Sequence, residues 1–207
     1  MEKFYKKGFA TIIGIFSILV ASILLLTDIF QQQNIKQIEY EKIEQFFIQE
    51  GRRNEVDLVE IKNEDIEPET DSNYIAVLEI PKLQLIRGLF DIEEDRNNIE
   101  ENIQILKESD FPNVENGTMI LAGHSGIGKS AYFKHLDNLQ IGDLIFLYYQ
   151  GVKYVYQLSS RYEIEKTGYF QVHKNDQKNT LILITCKIKT NLQLVFISEL
   201  LYQEPIV

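Results

Sequence analysis

The stretch TLILITCKIKTNLQLVFISEL, residues 180–200, sets two apolar runs on either side of the polar KIKTN. It holds the only cysteine of the chain, Cys186. Side chains alternate across a strand, which puts Leu181, Leu183 and Thr185 on one face and Ile182, Ile184 and Cys186 on the other. A strand therefore ends at Cys186, and a second begins near Leu192. Isolated free cysteines are more often buried and inert. Packing beside Ile182 and Ile184 would suit that reading. Against it, KIKTN carries the chain out to solvent, so the thiol sits where a strand rim can face a groove.

The same short, β-branched and aromatic runs recur upstream: YIAVLEI (74–80), LQLIRG (83–88), GTMILAG (117–123), GDLIFLYY (142–149) and VKYVYQLSSRYEI (152–164). Between the last two, Gln150–Gly151 reads as a tight hairpin turn. Helical signals in this half are few. One is EEDRNNIEENIQILKES (93–109), through Ile99, Ile103 and Leu106; the other is the short AYFKHLDNL (131–139). Many short strands with few helices predict a mainly β barrel or sandwich in one domain, residues 74–207.

Further out, the N-terminus reads differently. MEKFYKK (1–7) precedes a run from Gly8 to Thr27 that carries no charge. A helix of about 20 such residues spans a hydrocarbon core of roughly 30 Å. Residues 8–29 are therefore expected to be a transmembrane anchor. Lys3, Lys6 and Lys7 place residues 1–7 in the cytoplasm and the rest outside. A cleaved signal peptide is the alternative, but its apolar core is usually shorter and the small-residue site Val20–Ser22 lies inside the run. Residues 30–73 read as a helical and then acidic stalk or linker. Ile35, Ile38, Ile43, Phe46 and Phe47 give it an amphipathic start, and Pro68 breaks its acidic end.

The chain has 207 residues and a formal net charge of −10. An acidic surface repels nucleic acid and anionic membrane faces, so neither is expected to bind the folded part. An exported chain with one cysteine has no internal disulfide. The three histidines are His124, His135 and His173. His124 ends a strand within LAGHSG (121–126), where glycines permit tight turns and exposure. His135 and His173 read as ordinary surface residues. One cysteine and three scattered histidines make no close-ligand pair of the kind zinc favours. No cofactor motif is read, and Glu93, Glu94, Asp95 and Glu100 are taken as solvated charge rather than a calcium site. A cysteine and a histidine on two strand ends can form the Cys–His arrangement of acyl transfer.

Four stretches in order, YIAVLEIPKLQLIRGLF (74–90), ILKESDFPNVENGTMILAGHSG (105–126), AYFKHLDNLQIGD (131–143) and TLILITC (180–186), resemble the sortases. These are membrane-anchored cysteine transpeptidases of Gram-positive bacteria. The resemblance implies an eight-stranded β-barrel, Cys186 as nucleophile and His124 as the essential histidine. It implies cleavage of an LPxTG-like sorting motif on an exported protein through a Cys thioester. An amine of a cell-wall peptide or a pilin then takes the acyl group, which attaches surface proteins to the cell wall with ping-pong kinetics. An ordinary thiol is only a few per cent ionised at pH 7, so an imidazolium neighbour would favour the thiolate, and His124 could protonate the leaving amine.

The chain departs from the family at one place. Members usually carry an arginine on the strand after the cysteine, in a pattern like R-L-V; here the matching residues are Gln193-Leu194-Val195. Losing one oxyanion donor costs other enzymes about 3–4 kcal/mol. Gln193 could act as a neutral donor, or Lys187, Lys189 or Arg161 could supply the charge; a slow or inactive enzyme is the third reading. The alternatives to transpeptidation are a silent, membrane-tethered β-barrel binding module and a hydrolysis-only cysteine peptidase. The end of the chain at Val207, soon after the last strand, leans towards housekeeping or class B/D-like enzymes.

Overall fold

The computed structural model describes residues 2–56, 74–167 and 177–206. His173 and residues 57–73 of the acidic linker lie outside the described residues. One sheet holds eight strands: β1 (Ala76–Ile80), β2 (Leu85–Leu89), β3 (Gln104–Ile105), β4 (Thr118–Ala122), β5 (Leu144–Tyr149), β6 (Val152–Glu165), β7 (Thr180–Cys186) and β8 (Leu192–Pro205). Their order is β2-β1-β5-β6-β8-β7-β4-β3. All neighbours are antiparallel except β4 and β7, which run parallel. Gln150 and Gly151 both take positive φ, 49° and 75°, between the paired Tyr149 and Val152. That is the two-residue hairpin turn the sequence predicts, and its twist matches that of the strands.

The sheet curls into a nearly closed barrel, and an asparagine bridges the seam. Buried Asn102 donates to the Gly88 carbonyl of β2 (2.9 Å) and accepts from Arg87 Nε (2.7 Å). Asn97 does similar work for β3. Its amide accepts from the Ile105 N–H (2.7 Å) and donates to the Ile105 carbonyl (2.9 Å), as a neighbouring strand would. This corrects the helical expectation for residues 93–109, which fold as turns around β3. Ile103 and Ile105 are both fully buried, a period of two, while Ile99 is only half-buried. The Asn97 amide satisfies backbone groups of Ile105 that a helix would have bonded internally. The second helical signal survives only as a 3-10 turn, Leu136–Asn138.

Alternation along the strands sorts the core into an inside and two outer patches. Leu78, Leu121, Leu147, Tyr156, Leu183 and Phe196 fill the barrel. On the outer face of β4, β7 and β8 lie Ile120, Ile182, Ile184 and Val195. On that of β1 lies Val77, joined by Tyr74 and Phe90. β6 and β8 are long, and two irregularities in their pairing, near Val155 and near Leu158, let them bend around the barrel.

The remaining element is the helix α1 (Glu2–Val56), whose residues fall into two units, Met1–Glu41 and Lys42–Val207. In the first, the large apolar side chains from Ile15 to Phe30 are exposed all round, the pattern of a membrane span rather than of a core helix. Ser22 and Thr27 donate to the carbonyls of Ile18 and Leu24, each at 2.8 Å, so their hydroxyls need no water. In the second unit, Ile43 and Phe46 are buried against Tyr74, Val77 and Phe90. Phe47 meets Tyr148 edge to face, and Glu50 accepts a hydrogen bond from the Gly151 N–H. Ile35 and Ile38, by contrast, are exposed. Residues 43–50 of α1 thus help form the packed patch on the outer face of β1. Phe46→Ala, at a side chain 1% exposed, is expected to cost about 3 kcal/mol, read as a lowered midpoint in thermal unfolding of the full-length protein. An unchanged midpoint would mean that the helix merely rests on the barrel.

Candidate active site

β4 and β7 run parallel with Ala122 beside Ile184. Two more residues along each strand lead to His124 and Cys186. Three hydrogen bonds lace the two ends together. Gly123 N–H donates to the Ile184 carbonyl (3.1 Å), the Thr185 hydroxyl donates to the Gly123 carbonyl (2.8 Å), and the Ser125 hydroxyl donates to the Cys186 carbonyl. Gly123 is required here by close approach, because a Cβ at this position would lie 2.7 Å from the Phe133 ring. Phe133 in turn donates its N–H to the His124 carbonyl (3.0 Å). The residues before, at and after His124 are all held, so the imidazole starts from a fixed backbone.

Neither side chain is lost to the interior. Cys186 is half-buried and lines a cleft of about 510 Å³ together with Ser125, Phe133, Arg161, Thr185 and Leu194. The His124 side chain is 35% exposed, and its Nε2 lies 3.2 Å from the Glu100 carboxylate, itself 81% exposed. Glu100 was grouped in the sequence with solvated charge; its place beside the imidazole was not legible there. Ser125 and Phe133 were also missed as site residues, although both fall inside the quoted motifs.

The candidates for the missing arginine separate cleanly. Gln193 is the cross-strand partner of Cys186. Directly opposed residues point to the same face, with Cβ atoms about 5 Å apart. Gln193 does not itself line the cleft, whereas Cys186, Leu194 and Phe196 do. Lys187 also lines the cleft, but its ammonium is held by Glu163 at 2.6 Å. Lys189 lies in the turn after β7 with φ 61° and is exposed. Arg161, on β6, lines the cleft and donates from Nη1 to the carbonyls of Asp137 (3.0 Å) and Leu139 (2.9 Å). His135 is exposed, as the sequence reading expects.

A thiol at the end of β7 lining an open cleft, with an imidazole just beyond the end of the adjoining β4, places a Cys–His pair of residue types at the rim of a β-barrel. The Sortase domain family matches residues 78–200, and the chain belongs to that family, known for cysteine transpeptidases. Among curated relatives, sortase A of Bacillus anthracis is 26% identical over 160 residues, 77% of this chain and 73% of that one. Sortase D of Bacillus subtilis is 28% identical over 140 residues; the match spans 66% of this chain and 65% of the relative, just under two thirds of its length. Among solved structures, a sortase D5 transpeptidase of Clostridium perfringens superposes with a TM-score of 0.59 at 21% identity, covering 80% of this chain and 99% of that one. Streptococcus pneumoniae sortase C gives a TM-score of 0.57 at 17% identity, over 77% and 90% of the two chains. At these identities the structural likeness speaks for the fold.

Proposed function

We propose that the protein is a membrane-anchored cysteine transpeptidase that cleaves an LPxTG-like sorting motif on exported proteins and joins the acyl group to an amine. The observation that carries this reading is the parallel β4–β7 register, which leads to His124 and Cys186 just past neighbouring strand positions, with Cys186 lining an open cleft. Sulfur attacks the scissile carbonyl, and the tetrahedral intermediate collapses as His124 gives its proton to the leaving amine. The resulting thioester is resolved by an incoming amine, from a cell-wall peptide or a pilin. Residues 8–29 hold the enzyme in the bilayer, with the N-terminus cytoplasmic and residues 74–207 outside, where the exported substrates are.

Gln193, the cross-strand partner of Cys186, is the neutral donor proposed for the third role. Arg161 lines the same cleft from β6, with its Nη1 engaged by the carbonyls of Asp137 and Leu139. It pairs with Phe196, three residues from Gln193 on β8. Gln193→Ala should slow thioester formation by roughly 10²-fold, while Gln193→Arg should match or exceed the wild type. Equal rates in both variants and the wild type would leave Gln193 no part in the chemistry.

The test of the whole reading is a peptide-library cleavage assay with the full-length protein in detergent micelles, with and without an added amine. A mass increase on Cys186 equal to the acyl half of a cleaved peptide supports it. Cleavage products that carry only water when amine is abundant would make the protein a hydrolase. Absence of any adduct would remove the proposal.

A further inference from the structure

His124 stands two residues beyond the end of β4, and the antiparallel β3 pairs Gln104 with Ala122. The turn that leads into β3 is therefore carried back past the end of β4. Glu100 lies in that turn, and its Oε1 is 3.2 Å from His124 Nε2. Among the described residues no other carboxylate comes within ion-pair reach of this imidazole. Glu94, in the same loop, is taken by Arg96.

Both partners rise from held backbones. Asn98 Oδ1 accepts from the N–H groups of Glu100 and Glu101, each at 3.1 Å, and Asn98 Nδ2 donates to the Asp95 carbonyl at 2.7 Å. The Asn98 carbonyl accepts from the Asn102 N–H at 2.9 Å, and the Asn102 side chain is tied to Arg87 and Gly88 of β2. On the other side, the Phe133 N–H holds the His124 carbonyl. Only side-chain torsions remain to be ordered, which lowers the entropy cost of the contact. Fold stability gives little reason for it, since Glu100 is 81% exposed and such pairs add little to folding. Its consequence falls on the ring. An ionised carboxylate only accepts, so the imidazole donates from Nε2. The two ring nitrogens point away from each other, and the bond made by one sets the role of the other. Nδ1 is left as the nitrogen that can exchange a proton.

We propose that Glu100 is a positioning residue: it holds His124 through Nε2–H and makes Nδ1 the proton-transferring nitrogen. This rests on the transpeptidase reading above and adds a residue to its machinery. In acylation the thiolate forms the C–S bond and the scissile C–N bond breaks. The electron pair of that bond goes to the leaving nitrogen, which takes the proton from Nδ1. In the second half the incoming amine forms a new C–N bond, sulfur leaves as thiolate, and the amine proton passes to Nδ1. Nε2 keeps its proton throughout, and Glu100 exchanges none.

The experiment uses full-length protein in detergent micelles and a sorting-motif peptide with an amide at the scissile bond. Glu100→Ala should lower the maximal rate of Cys186 acylation by about threefold, with the donor concentration for half-maximal rate unchanged. Glu100→Asp keeps the charge but shortens by one carbon a contact already at 3.2 Å, and should lose as much. Glu100→Gln keeps the reach and an acceptor oxygen, and should recover most of the rate. In a His124→Ala background, followed over longer incubation, Glu100→Ala should add nothing, because a residue that acts through the imidazole has no effect without it. Nitrogen-15 NMR of histidine-labelled protein, with the His124 signal identified by its loss in His124→Gln, should find the neutral ring protonated on Nε2. A wild-type rate in Glu100→Ala overturns the proposal. So does a loss in Glu100→Gln equal to that in Glu100→Ala, a threefold loss that persists without His124, or a neutral His124 protonated on Nδ1 alone. Each of these leaves the transpeptidase reading in place. No Cys186 adduct in the wild type removes the transpeptidase reading itself and this inference with it.

Discussion

Full-length protein carrying Cys186→Ala is expected to form no acyl adduct and to cleave no sorting-motif peptide above the uncatalysed background. The expectation is this strong because the chain holds one thiol and no second thiol could replace it. Cys186 lies at the open end of β7, lining the cleft, so its removal should leave the core largely intact. Thermal unfolding of the variant within a few degrees of the wild type would show that chemistry, and not the fold, was lost. Cys186→Ser gives the finer measurement. A hydroxyl keeps the shape but is a much weaker nucleophile near neutral pH, so acylation should again be undetectable. Peptide cleavage that survives Cys186→Ala would end the transpeptidase reading.

His124→Ala is expected to lower the rate of acylation by 10²- to 10⁴-fold, the range of a positioned general acid, about 3–5 kcal/mol at the transition state. The loss should depend on the leaving group. An amine must be protonated as it departs, whereas an ester with a good leaving group need not be. A donor with an ester at the scissile bond should therefore recover most of the rate in His124→Ala, and an amide donor should not. If ester and amide suffer alike, the imidazole acts on the thiol alone. A fold defect would also slow both, and is separated by the unfolding midpoint. Gly123→Ala offers a contrast, since its Cβ would collide with the Phe133 ring that helps hold the His124 backbone. That variant should lose activity on ester and amide donors together.

Much of the barrel is written in local pattern. The hairpin at Gln150–Gly151 follows from two residues that accept positive φ, and the alternation of Leu181 and Leu183 against Ile182 and Ile184 reappears as two separate packed layers. Residues 93–109 show where local pattern misleads. Ile99, Ile103 and Leu106 fit a helical spacing, yet Ile103 and Ile105 enter the barrel two residues apart. Asn97 and Asn102, polar and unremarkable in the sequence, supply the bonds that make β3 and the seam possible. No local rule reveals this, because the partners, Ile105 and Gly88, are chosen by the curl of the whole sheet.

The same division runs through the site. A thiol where a strand ends, a histidine between glycines and an apolar helix ahead of a β domain were all readable from composition and period, which depend on near neighbours. Which side chains would surround the sulfur was not. Parallel pairing of β4 with β7 brings position 124 towards position 186, and antiparallel pairing of β7 with β8 sets Gln193 opposite Cys186 while Leu194 lines the cleft. Arg161, Lys187 and Lys189 looked equivalent as charges in a string. Tertiary structure tied Lys187 to Glu163, left Lys189 in a turn outside the cleft and fixed Arg161 at its wall. The reason is physical: a strand's own residues determine which face each side chain takes, but only long-range pairing determines what that face meets.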